Sequence, residues 1–178
     1  MVMPAPFARV FYGLPLDDAL EALAPLLPAI VEEAQGRPVP AANLHATLAF
    51  VGSISREAFD RLARIGQELP RAPIALALDT VGSFRGARVA WVGPSSLPPE
   101  LTRLHDALSA RLREDAFQVE DRPYRPHVTV ARHCKHALPA RSIGALPWRV
   151  RRIVLYESIG AEGGPRYEPR AQWPLDAA

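Results

Sequence analysis

The sequence predicts an α+β fold of two lobes, with pseudo-symmetric antiparallel sheets, outer helices and a central cleft. Three observations predict it. Stretches of alternating apolar and polar residues come in neighbouring pairs joined by glycine-bearing turns, the pattern of antiparallel hairpins. Leucines at helical spacing lie between these pairs, without the regular strand–helix–strand series that builds a parallel sheet. One short strand pattern also occurs twice, as Asn43-Leu44-His45-Ala46-Thr47-Leu48-Ala49-Phe50 and as Tyr124-Arg125-Pro126-His127-Val128-Thr129-Val130-Ala131-Arg132. Each copy sits near the middle of one half of the chain, so residues 1–178 read as a single domain with one copy in each lobe.

The elements follow in order. Residues 7–14 alternate well enough for a first strand. Leu16, Leu20, Leu23 and Leu27 then recur at helical spacing behind Asp17 and Asp18, acids that favour a helix start. Pro25 and Pro28 should kink that helix, and Gly36 should stop it after Gln35. Residues 36–43 make a proline-punctuated loop into the first repeated strand, where Ala46, Leu48 and Phe50 should enter the core. Ser55 is placed to cap a helix reaching about Leu69, with Phe59, Leu62, Ala63, Gly66 and Leu69 facing inward.

Residues 74–81 and 88–92 read as a hairpin, and residues 93–99 as the linker between halves. From Pro98 a helix carries Leu101, Leu104, Leu108 and Leu112 as its stripe, with His105 beside it as a packing residue. Residues 117–119 suit a short strand. After the second repeated strand, residues 148–158 alternate as one long strand, and Gly163-Gly164-Pro165 turns it into a last strand over residues 167–173.

The totals bound the class. With 48% hydrophobic and 22% charged residues the chain has the composition of an ordinary globular protein, and disorder is excluded. Net charge is only +2, although every basic residue except Lys135 is arginine, whose fork suits phosphate. Proline and alanine are abundant too, so compositional bias explains most of the arginine, and only those beside a motif carry weight here. The lone Cys134 permits no internal disulfide, and the opening residues lack a basic start followed by an apolar core. The uncharged run over residues 22–31 is short and holds two prolines. A cytoplasmic protein with no membrane span is expected, and a monomer.

On a strand, residues two apart share a face, so His45 sides with Thr47 and His127 with Thr129, while Val128 and Val130 point inward. The chain has only four threonines, and two of them follow a histidine by two residues. His133, Cys134 and His136 give a weaker signal. On a strand His133 and Cys134 face opposite ways, and no second cluster completes a tetrahedral site. No paired carboxylates of the kind that hold Mg²⁺ are visible either, so neither metal nor cofactor is expected.

The paired His-x-Thr strands, with Asn-Leu ahead of the first histidine and Arg-Pro ahead of the second, resemble the two-histidine (2H) phosphoesterase superfamily. Arg132 and the overall length resemble, within it, the bacterial RNA 2′,3′-cyclic phosphodiesterases, also called 2′-5′ RNA ligases. The resemblance implies that His45 is the proton donor to the leaving 3′ oxygen and His127 the proton acceptor from water, giving a 2′-phosphomonoester. The sequence by itself does not say which histidine is the base. Run backwards, the same site joins a cyclic phosphate end to a 5′-hydroxyl.

Such a displacement runs in line at phosphorus, so acid and base must flank it, which one strand cannot supply and two can. Histidine suits both roles, with an unperturbed pKa near 6.5. Thr47 and Thr129 can donate to the non-bridging oxygens, and Arg132 can add a fixed positive charge. Arg37, in the loop before the first motif, has a counterpart in the family and is a possible phosphate contact. Tyr124 is open between stacking on a base and filling the core. The expected partner is an RNA with a 2′,3′-cyclic phosphate end or a small nucleotide cyclic phosphate. The alternatives are another 2′-linked substrate, such as a 2′-5′ oligonucleotide, or a non-catalytic RNA- or nucleotide-binding module.

Overall fold

The alternation read from the sequence is realised as β-strands, whose order decides where the two motifs meet. The computed structural model describes residues 7–176; residues 1–6, read above for an export signal, lie outside them. Among the described residues the strands are β1 (Phe7–Pro15), β2 (Arg37–Pro38), β3 (His45–Ser55), β4 (Ile74–Phe84), β5 (Val89–Gly93), β6 (Val128–Arg132), β7 (Arg141–Val150), β8 (Arg152–Ala161) and β9 (Gly164–Pro174). The α-helices are α1 (Ala19–Leu23), α2 (Leu27–Ala34), α3 (Phe59–Gln67) and α4 (Pro99–Glu114).

The strands form one antiparallel sheet in the order β7-β4-β5-β6-β3-β1-β8-β9, with β2 paired to β6. A seam divides it. Strands β3 and β6 share a single bridging pair, Ala46 with Val128, whereas every other junction along the order is a longer ladder. The α+β architecture of antiparallel strands with outer helices is as expected, and the two motif strands are neighbours, running antiparallel where two half-sheets touch.

Neither half-sheet is a continuous half of the chain. Strands β8 and β9 return to flank β1, while β4 to β7 build the other side with β6. The single long strand expected over residues 148–158 breaks at Arg151, because β7 pairs with β4 and β8 with β1. Helices cross over too: α1 and α2 pack on β7 and β6, α3 on β8 and β9, and α4 on β3. Residues 93–99 therefore lead from a strand of one half-sheet to a helix on the other, and do not separate two halves of the sequence.

Local departures have physical causes. The prolines place a 3₁₀ turn, Ala24–Leu26, between α1 and α2. Asp18 makes no side-chain cap; Asp17 and Asp18 instead pair with Arg152 at 2.8 Å and Arg151 at 2.5 Å. Ser55 ends β3 and makes no capping bond to the 3₁₀ turn that precedes α3. Residues 117–119 are not a strand, since the Phe117 amide turns back to the Leu112 carbonyl at the end of α4. Two of the loop residues expected before β3 are β2, which joins the edge of β6.

Within β3 the alternation breaks. Tyr12 pairs with Ala49 and Gly13 with Thr47, leaving Leu48 opposite no partner; Val51 is skipped likewise between Phe50 and Gly52. Ala46 and Leu48 enter the core as expected, but the bulge turns Phe50 outward, where it is 52% exposed. The core beneath includes Tyr12, whose hydroxyl donates to the Leu62 carbonyl at 2.6 Å and so ties β1 to α3. Among the described residues no helix is long and apolar enough to cross a membrane.

Candidate active site

The bridging pair Ala46–Val128 fixes the geometry of the motifs. Both residues point into the core, so His45, Thr47, His127 and Thr129 emerge on the other face. Continuing that antiparallel register sets His45 across from Thr129 and Thr47 across from His127. The two histidines are then diagonal neighbours across the seam, close enough that the charge of His127 bears on His45.

Each ring is held the same way. His45 Nδ1 lies 2.6 Å from the Asn43 carbonyl, and His127 Nδ1 lies 2.8 Å from the Arg125 carbonyl, in both cases two residues earlier. A carbonyl only accepts, so each Nδ1 carries the proton and each Nε2 of a neutral ring presents its lone pair. The Thr47 hydroxyl then donates to His45 Nε2 at 3.1 Å.

The surroundings of the two rings differ. His45 sits in an aromatic nest: Phe11 at 4.8 Å between centroids, Tyr167 edge-on at 5.3 Å and Tyr156 at 5.9 Å. Gly13 backs it, and a Cβ there would lie 3.3 Å from His45 Cδ2 and 3.1 Å from the Tyr156 ring. Burial lowers the His45 pKa to about 4, assisted by the charges of Arg132 and His127 and opposed by the Asn43 bond. His127 meets one aromatic ring edge-on, Phe84 at 4.9 Å, and the Arg125 guanidinium lies 5.7 Å from the centre of that same ring. Its pKa is lowered by burial first, then by Arg125, Arg132 and Arg122, against the Arg125 carbonyl bond.

Arg132 thus acts electrostatically on both histidines. Arg37 is brought beside it, because β2 pairs Arg37 with Arg132. Tyr124 is placed less openly. Its ring lies flat on His105, 4.1 Å between centroids and 10° between planes, and its hydroxyl donates to the Thr47 carbonyl at 3.3 Å. That stacked face is closed to a base. His133, Cys134 and His136 do not converge, and the described residues hold no group of three or more histidine, cysteine or acidic side chains suited to a metal ion.

Sequence reasoning assigned no role to Phe11, Gly13, Phe84, Tyr156 or Tyr167, which reach the motifs from other strands, and used Arg125 only as part of the second motif. Asn43 had a signal, since it opens the first motif. Its buried side-chain amide donates to the Pro165 carbonyl at 2.7 Å and accepts from the Tyr167 amide at 3.3 Å. It thereby fixes the start of β9 against the turn whose own carbonyl orients His45.

The family model described as the 2′-5′ RNA ligase superfamily matches residues 15–162. An RNA 2′,3′-cyclic phosphodiesterase of Escherichia coli (strain K12) is 36% identical over 142 residues, covering 79% of this chain and 80% of the relative. A protein of the same name from Aeropyrum pernix is 35% identical over 143 residues, covering 71% and 78%. Among solved structures, E. coli LigT complexed with 3′-AMP superposes with a TM-score of 0.86 at 29% identity, over 96% of this chain and 99% of that one. A crystal structure described as a phosphoesterase gives the same TM-score and coverage at 31% identity. With most of its length matched by the family model and by relatives above 30% identity, this chain belongs to the 2′-5′ RNA ligase superfamily.

Proposed function

We propose that the chain, acting as one catalytic unit, hydrolyses RNA 2′,3′-cyclic phosphodiester ends to 2′-phosphomonoesters. The observation that carries this reading is the pair of histidines on neighbouring antiparallel strands, each anchored through Nδ1 to the carbonyl two residues earlier. His127 Nε2 takes a proton from water as its oxygen bonds to phosphorus. The P–O3′ bond breaks on the opposite side, and His45, protonated at Nε2, gives its proton to the leaving oxygen. The threonine hydroxyls and Arg132 stabilise the charge that grows on the non-bridging oxygens. Arg37 extends the positive field at the entrance, and neither metal nor cofactor has a step in this scheme.

With the same two proton roles, a 5′-hydroxyl in place of water opens the cyclic phosphate and yields a 2′-5′ linkage, and exchanging the roles cleaves that linkage again. In water hydrolysis dominates. The relatives named as RNA 2′,3′-cyclic phosphodiesterases support this substrate class over a binding module.

The test is hydrolysis of a short RNA ending in a 2′,3′-cyclic phosphate, in chelator, with the position of the product phosphate resolved. His45→Ala and His127→Ala should each lower the rate by about 10² to 10⁴, and Thr47→Ala or Thr129→Ala by roughly ten- to a hundredfold. An inactive wild type, or a rate restored only by one added metal, would overturn the proposal.

A further inference from the structure

Beside His127 the surface opens into a groove of about 550 Å³ between the β4–β5 turn and the segment after β6. Phe84 lines it and is the same ring that meets His127 edge-on, so a single side chain lies between the groove and His127. Arg85, Arg88, Lys135 and His136 line it, and no carboxylate does. In a chain with 19 acidic residues and a net charge of +2, this is a local concentration of one sign.

The contrast with arginines elsewhere sharpens the point. Arg56, Arg103, Arg141, Arg151, Arg152 and Arg170, among others, are engaged with carboxylates. Among the described residues Arg85, Arg125 and Lys135 have no such partner. Arg9, Arg64 and Arg149 make no carboxylate bridge among the described residues either, but they do not line the groove.

The walls are built rather than loose. Cys134 donates its amide to the Arg88 carbonyl at 3.0 Å, and Arg88 Nε returns a bond to the Cys134 carbonyl at 3.2 Å. Ser83 Oγ bonds both the carbonyl and the amide of Leu138, at 3.0 and 2.8 Å. Arg88 and His133 hold left-handed backbone angles, φ 53° and 55°, to make these turns. The amides of Lys135 and His136 both reach the Ala34 carbonyl at 3.1 Å, which fixes the outer wall to the end of α2.

A cationic groove with hydrogen-bonded walls and an aromatic ring shared with His127 matches what single-stranded nucleic acid requires. We infer that this groove binds the sugar-phosphate backbone of a single-stranded RNA segment adjoining the reacting phosphorus. The inference rests on the phosphodiesterase reading above. Two segments have that chemistry: the body of the RNA whose end is cyclic, and the strand whose 5′-hydroxyl takes the place of water. The groove lies on the side of His127, where the attacking group arrives, and the aromatic nest lies on the side of His45, where the terminal nucleoside leaves its 3′ oxygen. In joining, the O5′–P bond forms as P–O3′ breaks, the O5′ proton passes to His127, and the His45 proton passes to O3′.

The experiment compares wild type with the double variant Arg85→Ala/Lys135→Ala, which leaves the hydrogen-bonded Arg88 in place. Three substrates are used across a salt series: a mononucleotide 2′,3′-cyclic phosphate, a ten-nucleotide RNA with a cyclic end, and that RNA together with a second ten-nucleotide strand bearing a 5′-hydroxyl. The mononucleotide should be hydrolysed at wild-type kcat/KM within about twofold. The ten-nucleotide RNA, or the joining of the second strand, should fall about tenfold at low salt. Its logarithmic salt slope should flatten by roughly 1.4, the loss of two phosphate contacts at about 0.7 each.

A fall in hydrolysis of the longer RNA assigns the groove to the reacting strand; a fall in joining alone assigns it to the attacking strand. Equal behaviour of both proteins on all three would overturn the inference, as would an equal loss on the mononucleotide. Should wild type hydrolyse none of them, the phosphodiesterase reading fails by itself. Anisotropy of the 5′-hydroxyl strand, labelled at its 3′ end, then decides the groove: weaker binding by the variant with the same change of slope supports it, and unchanged binding overturns it.

Discussion

At the scale of single residues, catalysis turns on protonation. Both histidines are easier to deprotonate than a free imidazole, because burial and the charge of Arg132 disfavour the cation. In the proposed mechanism the reactive form has His45 protonated and His127 neutral, and its population peaks between the two pKa values. Both lie below 6.5, so kcat/KM, which reports the free enzyme, should be greatest below pH 6.5 and decline above it. Removing the positive charge in Arg132→Ala raises both values and should move the optimum upward while the rate falls. A wild-type optimum above pH 7 in the kcat/KM profile would contradict this. A second prediction concerns Gly13, where an added methyl meets His45 and Tyr156 at 3.3 and 3.1 Å. Gly13→Ala should shift the imidazole by a few tenths of an ångström and lower kcat about tenfold, with the thermal midpoint nearly unchanged. Equal kcat in the two proteins would show that the ring has slack.

At the scale of elements, packing against a neighbour decides more than propensity does. Helix α3 lies so close to β9 that a Cβ on Gly66 would fall 2.2 Å from the Trp173 indole. Gly66→Ala should therefore destabilise the fold by about 1–3 kcal/mol despite its better helix propensity, as measured by urea unfolding, with activity per folded molecule retained. An unchanged midpoint would mean that Trp173 can move aside. The same dependence on neighbours explains what could be read in advance. The two motif strands were legible because their alternation is local and repeated. Phe50 was not: two bulges in β3 rotate it, and neither Leu48 nor Val51 is a residue that announces a bulge. The break at Arg151 did leave a trace, since the apolar parity set by Trp148 and Val150 slips at Arg151-Arg152 to that of Ile153 and Leu155. Asn43 was legible as part of the motif, but its hold on Pro165 and Tyr167 joins residues far apart in sequence. Arg85 and Lys135 carried no local pattern at all.

At the scale of the whole molecule, the site makes the fold sensitive to acid. His45 is held neutral in the folded chain with a pKa of about 4, whereas in the unfolded chain it titrates near 6.5. The stability linked to it is present above pH 6.5 and lost as pH falls towards 4, by up to about 3 kcal/mol. Urea unfolding at pH 7 and pH 4.5 should show this loss in wild type and a smaller one in His45→Gln; equal losses would place the acid sensitivity elsewhere. The order of strands has a further consequence for how the protein is made. The half-sheet that holds His45 begins with β1 but gains β8 and β9 only from residues 152–174, synthesised well after β1 and β3. While the ribosome is still adding them, β1 has an unfilled edge and Asn43 lacks the backbone it grips. A chain released before residue 152 would carry both histidines and yet lack Tyr156 and Tyr167, which pack around His45. Assembly of the candidate site is in this way checked by strands made well after both of its histidines.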